Sequence, residues 1–268
     1  MIRIPTAWVS VVVVVALVVT GCTTTNTSST KTMTSGTSDT DKKHRRSDAL
    51  DNYIKLGLGY LSEGNRDGAR FNFQKALEIN SRSPGAHNGL ALLYQLDKEY
   101  RLAEEHFRKA LQYDSKYTRG RNNFGVFLYK RKRYDEAFEQ LTIASEDVNY
   151  SRRARVFLSL GMAANRLGKE AEAKQSWEKA LALDPRMSTP YFELADIYFR
   201  EQDLPRAKIY LDRYEAIVGP TARALWLGVR LERAFANKNG EASKALALKK
   251  MFPYSKEYLA YKEWLAGR

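Results

Sequence analysis

The sequence predicts an all-α fold: a solenoid of about six helix–turn–helix units closed by a C-terminal helix. Three observations predict it. Small residues recur at Gly57, Ala91, Gly125, Gly161 and Ala195, at spacings of 34, 34, 36 and 34 residues. Each is followed twelve positions later by an alanine (Ala69, Ala103, Ala137, Ala173, Ala207), and four positions beyond that by a large apolar residue (Phe73, Phe107, Leu141, Trp177, Leu211). Turn-forming residues fall between the apolar stripes, at Gly64-Asn65, Asn80–Pro84, Gly168 and Asp184-Pro185.

Composition narrows the function. The 268 residues carry 44 Lys and Arg against 31 Asp and Glu, a net charge of +13. A hydrophobic content of 44% is enough for a sizeable core. The single cysteine excludes an intramolecular disulfide and a Cys-based zinc site, and three histidines (His44, His87, His106) leave little material for metal or acid–base chemistry. Gly57-Leu58-Gly59 opens like a dinucleotide-binding loop, but Ser62 holds the third glycine position and no strand pattern precedes it. The sequence therefore predicts no enzyme, no metal, no cofactor and no small-molecule substrate. Function has to reside on surfaces.

Taken in chain order, residues 1–21 read as a lipoprotein signal peptide. Arg3 is followed by an apolar run from Trp8 to Val19 and then by Thr20-Gly21-Cys22. Val19-Thr20-Gly21-Cys22 resembles the bacterial lipobox, which implies Cys22 as the lipidated first residue of the mature chain. By the same resemblance to Gram-negative lipoproteins, Thr23 rather than Asp in the second position implies the periplasmic face of the outer membrane. A basic excess is often a nucleic-acid signature, but a chain exported this way does not meet the genome, so no nucleic-acid partner is expected. Residues 22–47 read as the lipidated Cys and a flexible Ser/Thr-rich tether. Nine of residues 23–40 are Thr and four are Ser, too polar to offset the entropy of ordering. Lys42-Lys43-His44-Arg45-Arg46 reads as a solvated hinge.

Residues 48–254 form the repeat region. The first unit shows two apolar stripes at helical period, Tyr53, Leu56, Gly57, Tyr60 and then Ala69, Phe73, Ala76. Small residues on the facing stripes let paired helices approach, and no single unit buries both of its faces, so units stack. His87 falls in a core slot. Lys130-Arg131-Lys132-Arg133 reads as a solvated turn. Two extra residues interrupt the period within Ser145–Arg153. A degenerate sixth copy is expected over 221–254, with Leu227-Gly228 in its first helix and Ala242 and Leu246 in its second. Residues 255–268, with Tyr258, Leu259, Tyr261, Trp264 and Leu265, read as a capping helix.

This pattern resembles the tetratricopeptide repeat, a helix–turn–helix unit of 34 residues. The resemblance implies a right-handed superhelical solenoid whose first helices line a concave groove. Carried over copy by copy, the groove positions are Ile54, Leu58 and Leu61; Asn88, Leu92 and Gln95; Arg119, Asn122, Val126 and Tyr129; Arg155, Leu158, Met162 and Asn165; and Phe192, Asp196 and Phe199. The partner site is expected in the first three copies, at Ile54, Leu58, Asn88, Leu92, Arg119, Asn122, Val126 and Tyr129, where aliphatic residues stand one repeat apart beside amides. The Lys/Asn/Arg set with which some such domains clamp a C-terminal carboxylate is missing, because Ile54 and Leu58 stand where it needs polar groups.

Lipobox, tether, repeats and the irregular Asp147-Val148-Asn149-Tyr150-Ser151-Arg152-Arg153 junction together resemble the type IV pilus biogenesis and stability lipoproteins, the pilotins of pilus secretins. The resemblance implies a non-enzymatic outer-membrane lipoprotein that binds a pilus secretin subunit and promotes its localisation and multimer assembly for pilus extrusion and twitching motility. Two other lipoprotein roles fit the same layout: a scaffold of outer-membrane barrel assembly, and an adaptor that docks peptidoglycan hydrolases.

Overall fold

The computed structural model describes residues 39–267. The signal peptide, Cys22 and the tether up to residue 38 lie outside the described residues. The repeats belong to one continuous body, Lys43–Arg268, and the first residues of α1 belong to the preceding unit, Met1–Lys42. The described residues form thirteen helices and no strand.

Consecutive helices pair antiparallel: α1 (Asp39–Ser62) with α2 (Arg66–Ile79), α3 (Pro84–Leu96) with α4 (Tyr100–Tyr113), and α5 (Thr118–Lys130) with α6 (Tyr134–Ser145). The series continues with α7 (Arg153–Arg166) and α8 (Glu170–Leu183), α9 (Ser188–Arg200) and α10 (Leu204–Val218), and α11 (Ala222–Ala234) and α12 (Lys238–Met251), before α13 (Lys256–Ala266). The reversal inside each pair is made the same way. One residue takes the left-handed conformation, at Gly64, Lys98, Lys132, Gly168, Gln202 and Ala236, so the intervals are 34, 34, 36, 34 and 34 residues. The N–H of the next residue then reaches back across the turn, as in Asn65 N–H to the Tyr60 carbonyl at 2.9 Å and Asn237 N–H to the Glu232 carbonyl at 2.8 Å. This satisfies carbonyls that the ending helix leaves unpaired. Between pairs, the side chains of Asn80, Asp114, Asp147 and Asp184 each accept from the N–H two residues on, at 2.9–3.1 Å.

The repeating small and large residues form the core. Ala69, Ala103, Ala137, Ala173 and Ala207 are fully buried, and Phe73, Phe107, Leu141, Trp177 and Leu211 are at most 2% exposed. The small residue lies directly under the large one of the same pair: a Cβ on Gly161 would stand 2.5 Å from the Trp177 indole. Contacts this close are why the position admits no larger side chain.

Four expectations need correction. Helix α1 begins at Asp39, so the Lys42–Arg46 run is helical, and the Arg46 guanidinium donates to the Ile79 carbonyl at 2.7 Å. Leu56 is 52% exposed whereas Leu90, Phe124, Leu160 and Leu194 in the same slot are buried. That slot faces the preceding unit, and among the described residues no helix pair precedes α1. In the sixth copy Ala242 and Leu246 point outward and Ala245 and Leu248 are buried instead. The large apolar slot there is held by Lys244, whose stem lies over Gly228 and whose ammonium bonds both oxygens of Glu215 at 2.7 Å. Finally, the Lys130–Arg133 turn is not merely solvated: Arg131 lies 4.0 Å over the Tyr100 ring, and Arg133 pairs with Glu104 at 2.6 Å and Glu136 at 2.5 Å.

The closing helix α13 is capped by Ser255, whose hydroxyl accepts from the Tyr258 N–H at 3.1 Å. It leans on α11 through Tyr261 and Trp264 against Trp226, and through Trp264 beneath Arg233. His87 occupies its core slot, 5% exposed, with Nε2 at 3.1 Å from the Ser81 carbonyl and Nδ1 at 3.0 Å from Nδ1 of His106. Because a carbonyl only accepts, His87 carries its proton on Nε2, so the His106 Nδ1–H donates to His87.

Candidate functional site

The first helices of successive pairs stand side by side, and residues on their shared face line two separate cavities. The first, about 650 Å³, lies against α1 and the start of α3, with Ile54, Leu58 and Tyr117 giving it apolar walls and Arg119 a cation. The second, about 640 Å³, lies across α3, α5 and α7 and reaches the junction before α9. Leu92, Val126 and Leu158 form its apolar part, Gln95, Asn122 and Asn123 its amides, and Lys130, Arg155 and Arg186 its cations.

The sequence-predicted residues therefore divide. Ile54, Leu58 and Arg119 share the first cavity; Leu92, Asn122 and Val126 share the second. Two fall in neither. Asn88, expected at the groove surface, is 1% exposed and its Oδ1 accepts from Asn123 Nδ2 at 3.0 Å. The reason is that α5 packs directly against α3, and the Asn88 amide becomes an internal strut between them. Tyr129 stands half-buried against Tyr134, with its hydroxyl accepting from Arg166 Nε at 3.3 Å. Asn88 thus interrupts the expected strip of groove residues.

Asn122 is differently placed. Its Oδ1 is buried and accepts no hydrogen bond from a described residue. A buried acceptor without a partner costs about 1–3 kcal/mol, so a donor arriving at the cavity floor is stabilised there. Asp184 sits at the cavity rim with its carboxyl held below the usual range, first by the Arg186 N–H, then by the Arg186 side chain, with Arg155 adding to the field. It stays ionised and offsets part of the positive charge. On the first cavity's side, burial pushes the Tyr117 hydroxyl up, which keeps it neutral and a hydrogen-bond donor. Helical periodicity had found Gln95, Arg155 and Leu158. It missed Asn123, one residue off the stripe, and Asp184 and Arg186, which sit in a junction that no helical period covers.

Comparison with known proteins places this geometry. The tetratricopeptide repeat model matches residues 54–117 and 158–220. The type IV pilus assembly protein PilF of Pseudomonas aeruginosa is 40% identical over 254 residues, covering 94% of this chain and 97% of PilF. The chain belongs to the type IV pilus biogenesis tetratricopeptide-repeat proteins. Solved structures agree. That of Pseudomonas aeruginosa PilF superposes with a TM-score of 0.76 at 42% identity, over 83% of this chain and 99% of the other. That of PilW, a widely conserved type IV pilus biogenesis factor, superposes with a TM-score of 0.66 at 25% identity, over 79% and 97%. YrrB, a repeat protein with an unusual peptide-binding site, shares the fold at 19% identity and a TM-score of 0.61. Family and fold are as the sequence resemblance implied: an all-α repeat solenoid of the kind that works through protein–protein contact.

Proposed function

We propose that this chain is a non-enzymatic, lipid-anchored protein of the outer membrane's periplasmic face that binds a pilus secretin subunit and promotes its localisation and multimer assembly. The observation that carries the reading is the near full-length relationship to PilF, combined with a groove whose two cavities pair apolar walls with amides and cations. Such a surface lets a partner bury side chains while its backbone finds hydrogen bonds. Cys22 supplies the anchor. Acyl chains contribute about 0.8 kcal/mol per buried CH₂, and two or more on one residue hold a protein stably.

Two measurements test this. Capture of the chain from solubilised envelope should bring the secretin as its dominant partner; recovery of barrel-assembly proteins or peptidoglycan hydrolases instead would replace the reading with one of those roles. Cys22→Ala should abolish palmitate incorporation and shift the chain out of the outer-membrane fraction. Continued labelling of that variant would remove the lipid anchor.

A further inference from the structure

The two cavities differ in charge. Around the first, Lys55, Lys116 and Arg119 are balanced by Asp51, Asp114 and Asp147. The second continues into a recess of about 480 Å³ at the long junction before α7, and the two share Arg155, Asp184 and Arg186. Along this joined surface Lys130, Arg152, Arg153, Arg155 and Arg186 face a single carboxylate, Asp184. Arg153 is engaged elsewhere: its Nε donates to the Ser145 carbonyl at 2.9 Å and its guanidinium lies 5.1 Å over the Phe157 ring. Arg186 shares Asp184 at 3.2 Å. Lys130, Arg152 and Arg155 are exposed and form no ion pair among the described residues.

The irregular junction adds to this imbalance through Arg152 and Arg153. It carries the two residues that break the 34-residue period, and its own acid, Asp147, is turned away to the Thr118 hydroxyl at 2.5 Å and the Asn149 N–H at 3.0 Å. Apolar surface accompanies the charge, with Leu92, Val126 and Leu158 half-buried in the cavity and Val148 and Leu183 exposed by 69% and 51% at the recess.

The geometry points to an extended acidic peptide segment as the occupant of this joined surface. Aliphatic side chains of the segment seat on Leu92, Val126 and Leu158, a main-chain N–H donates to Asn122 Oδ1, and carboxylates lie over Arg152, Arg155 and Arg186. This rests on the groove being the partner site and names the chemistry of what it takes. A lipid surface fits less well, because the apolar residues and Asn122 line a recess between helices, where a flat sheet of headgroups cannot follow.

Fluorescence anisotropy of the full chain in detergent tests it, with a fluorescein-labelled peptide of alternating leucine and aspartate as probe and the leucine–lysine peptide as its opposite. The aspartate peptide should bind about tenfold tighter or better than the lysine peptide, and more weakly as salt rises. Arg155→Glu with Arg186→Glu should cut that affinity by about tenfold with an unchanged melt, and Arg155→Gln with Arg186→Gln should fall between. Equal binding of both peptides, absence of binding, or full affinity in the charge-reversed variant would overturn the assignment. So would a variant that keeps peptide binding but loses binding to phosphatidylglycerol vesicles, since that outcome makes the surface a lipid site. Capture of the secretin subunit is scored separately: a chain that binds the aspartate peptide but not the subunit keeps this site and loses the partner reading.

Discussion

Replacing Gly161 by alanine puts the closeness of the paired helices to the test at a single contact. The added Cβ would stand 2.5 Å from Trp177 Nε1 and 2.6 Å from Cδ1. Comfortable contacts between such atoms lie near about 3.5–4.0 Å, so about 1 Å has to be found. Trp177 is 1% exposed and packed among Ala164, Ala173 and Ala195, so the indole cannot swing outward. Helix propensity alone favours alanine over glycine by about 1 kcal/mol, whereas overpacking a close contact costs about 1–3 kcal/mol. Gly59 supplies the control. It also sits inside a helix, but a Cβ there meets nothing within 4 Å. Gly59→Ala should therefore stabilise by about 0.5–1 kcal/mol, and Gly161→Ala should lie about 1–3 kcal/mol below it, because the propensity gain is common to both and only the packing cost differs. Urea melts followed by far-ultraviolet circular dichroism, analysed at a common slope, measure the gap. For a chain of this size it corresponds to several degrees in Tm, at about 2–4 °C per kcal/mol. Equal stabilisation by both substitutions would show that α7 and α8 do not approach as described.

Two further predictions follow from the turns and the histidine pair. Ala236 holds a left-handed conformation, φ 57°, with no compensating glycine; Ala236→Gly should raise stability by about 0.5–1 kcal/mol, and a lower midpoint in the same urea assay would contradict it. His87 and His106 are both held below the ordinary histidine range, chiefly by burial, with His106 pushed down to about 4 and the neighbouring His87 contributing to that. Between about pH 6.5 and 4 the unfolded chain thus binds more protons than the folded one, so stability falls as pH falls, by no more than about 1.4 kcal/mol per pH unit for each histidine. His106→Gln should flatten the slope of the midpoint against pH in that window, and an unaltered slope would mean the pair is not what titrates.

The repeat was legible because it is written in residues that have no alternative. An alanine pressed under a facing helix and a large apolar side chain beside it recur at fixed spacing, and any larger or smaller side chain is penalised in packing. The turns were only partly legible. Gly64 and Gly168 announce a left-handed residue, whereas Lys98, Lys132, Gln202 and Ala236 adopt the same conformation without any sequence signal, held there by the helices on either side. The sixth unit was misassigned because Lys244, a charged residue, does an apolar residue's job with its methylene stem and satisfies its ammonium on Glu215. Leu56 was misassigned because a repeat pattern does not show that, among the described residues, its slot has no preceding helix pair to pack against. Composition also misjudged the start of α1, since a run of Lys, His and Arg is compatible with helix or coil and Asp39 and Asp41 in its first turn favour helix.

For the site, periodicity named the faces of the first helices and so found Leu92, Asn122 and Val126. It did not show that Asn88 would be enclosed by α5, because burial there depends on how closely two non-consecutive helices pack. Nor did it show that the junctions contribute Asp184 and Arg186, because those residues lie between helices and carry no period.

The central claim is that the face formed by the first helices holds the pilus partner, and one measurement tests it most directly. The affinity of the full chain for the purified secretin subunit is determined by titration, before and after the pair of changes Leu92→Ser and Asn122→Ala. Both residues line the second cavity and neither belongs to the fully buried core. Binding should weaken by at least about 1–2 kcal/mol, the size of a modest hot spot, while the melting curve stays within about 1 kcal/mol of the parent's. Full affinity in a folded variant would contradict the claim.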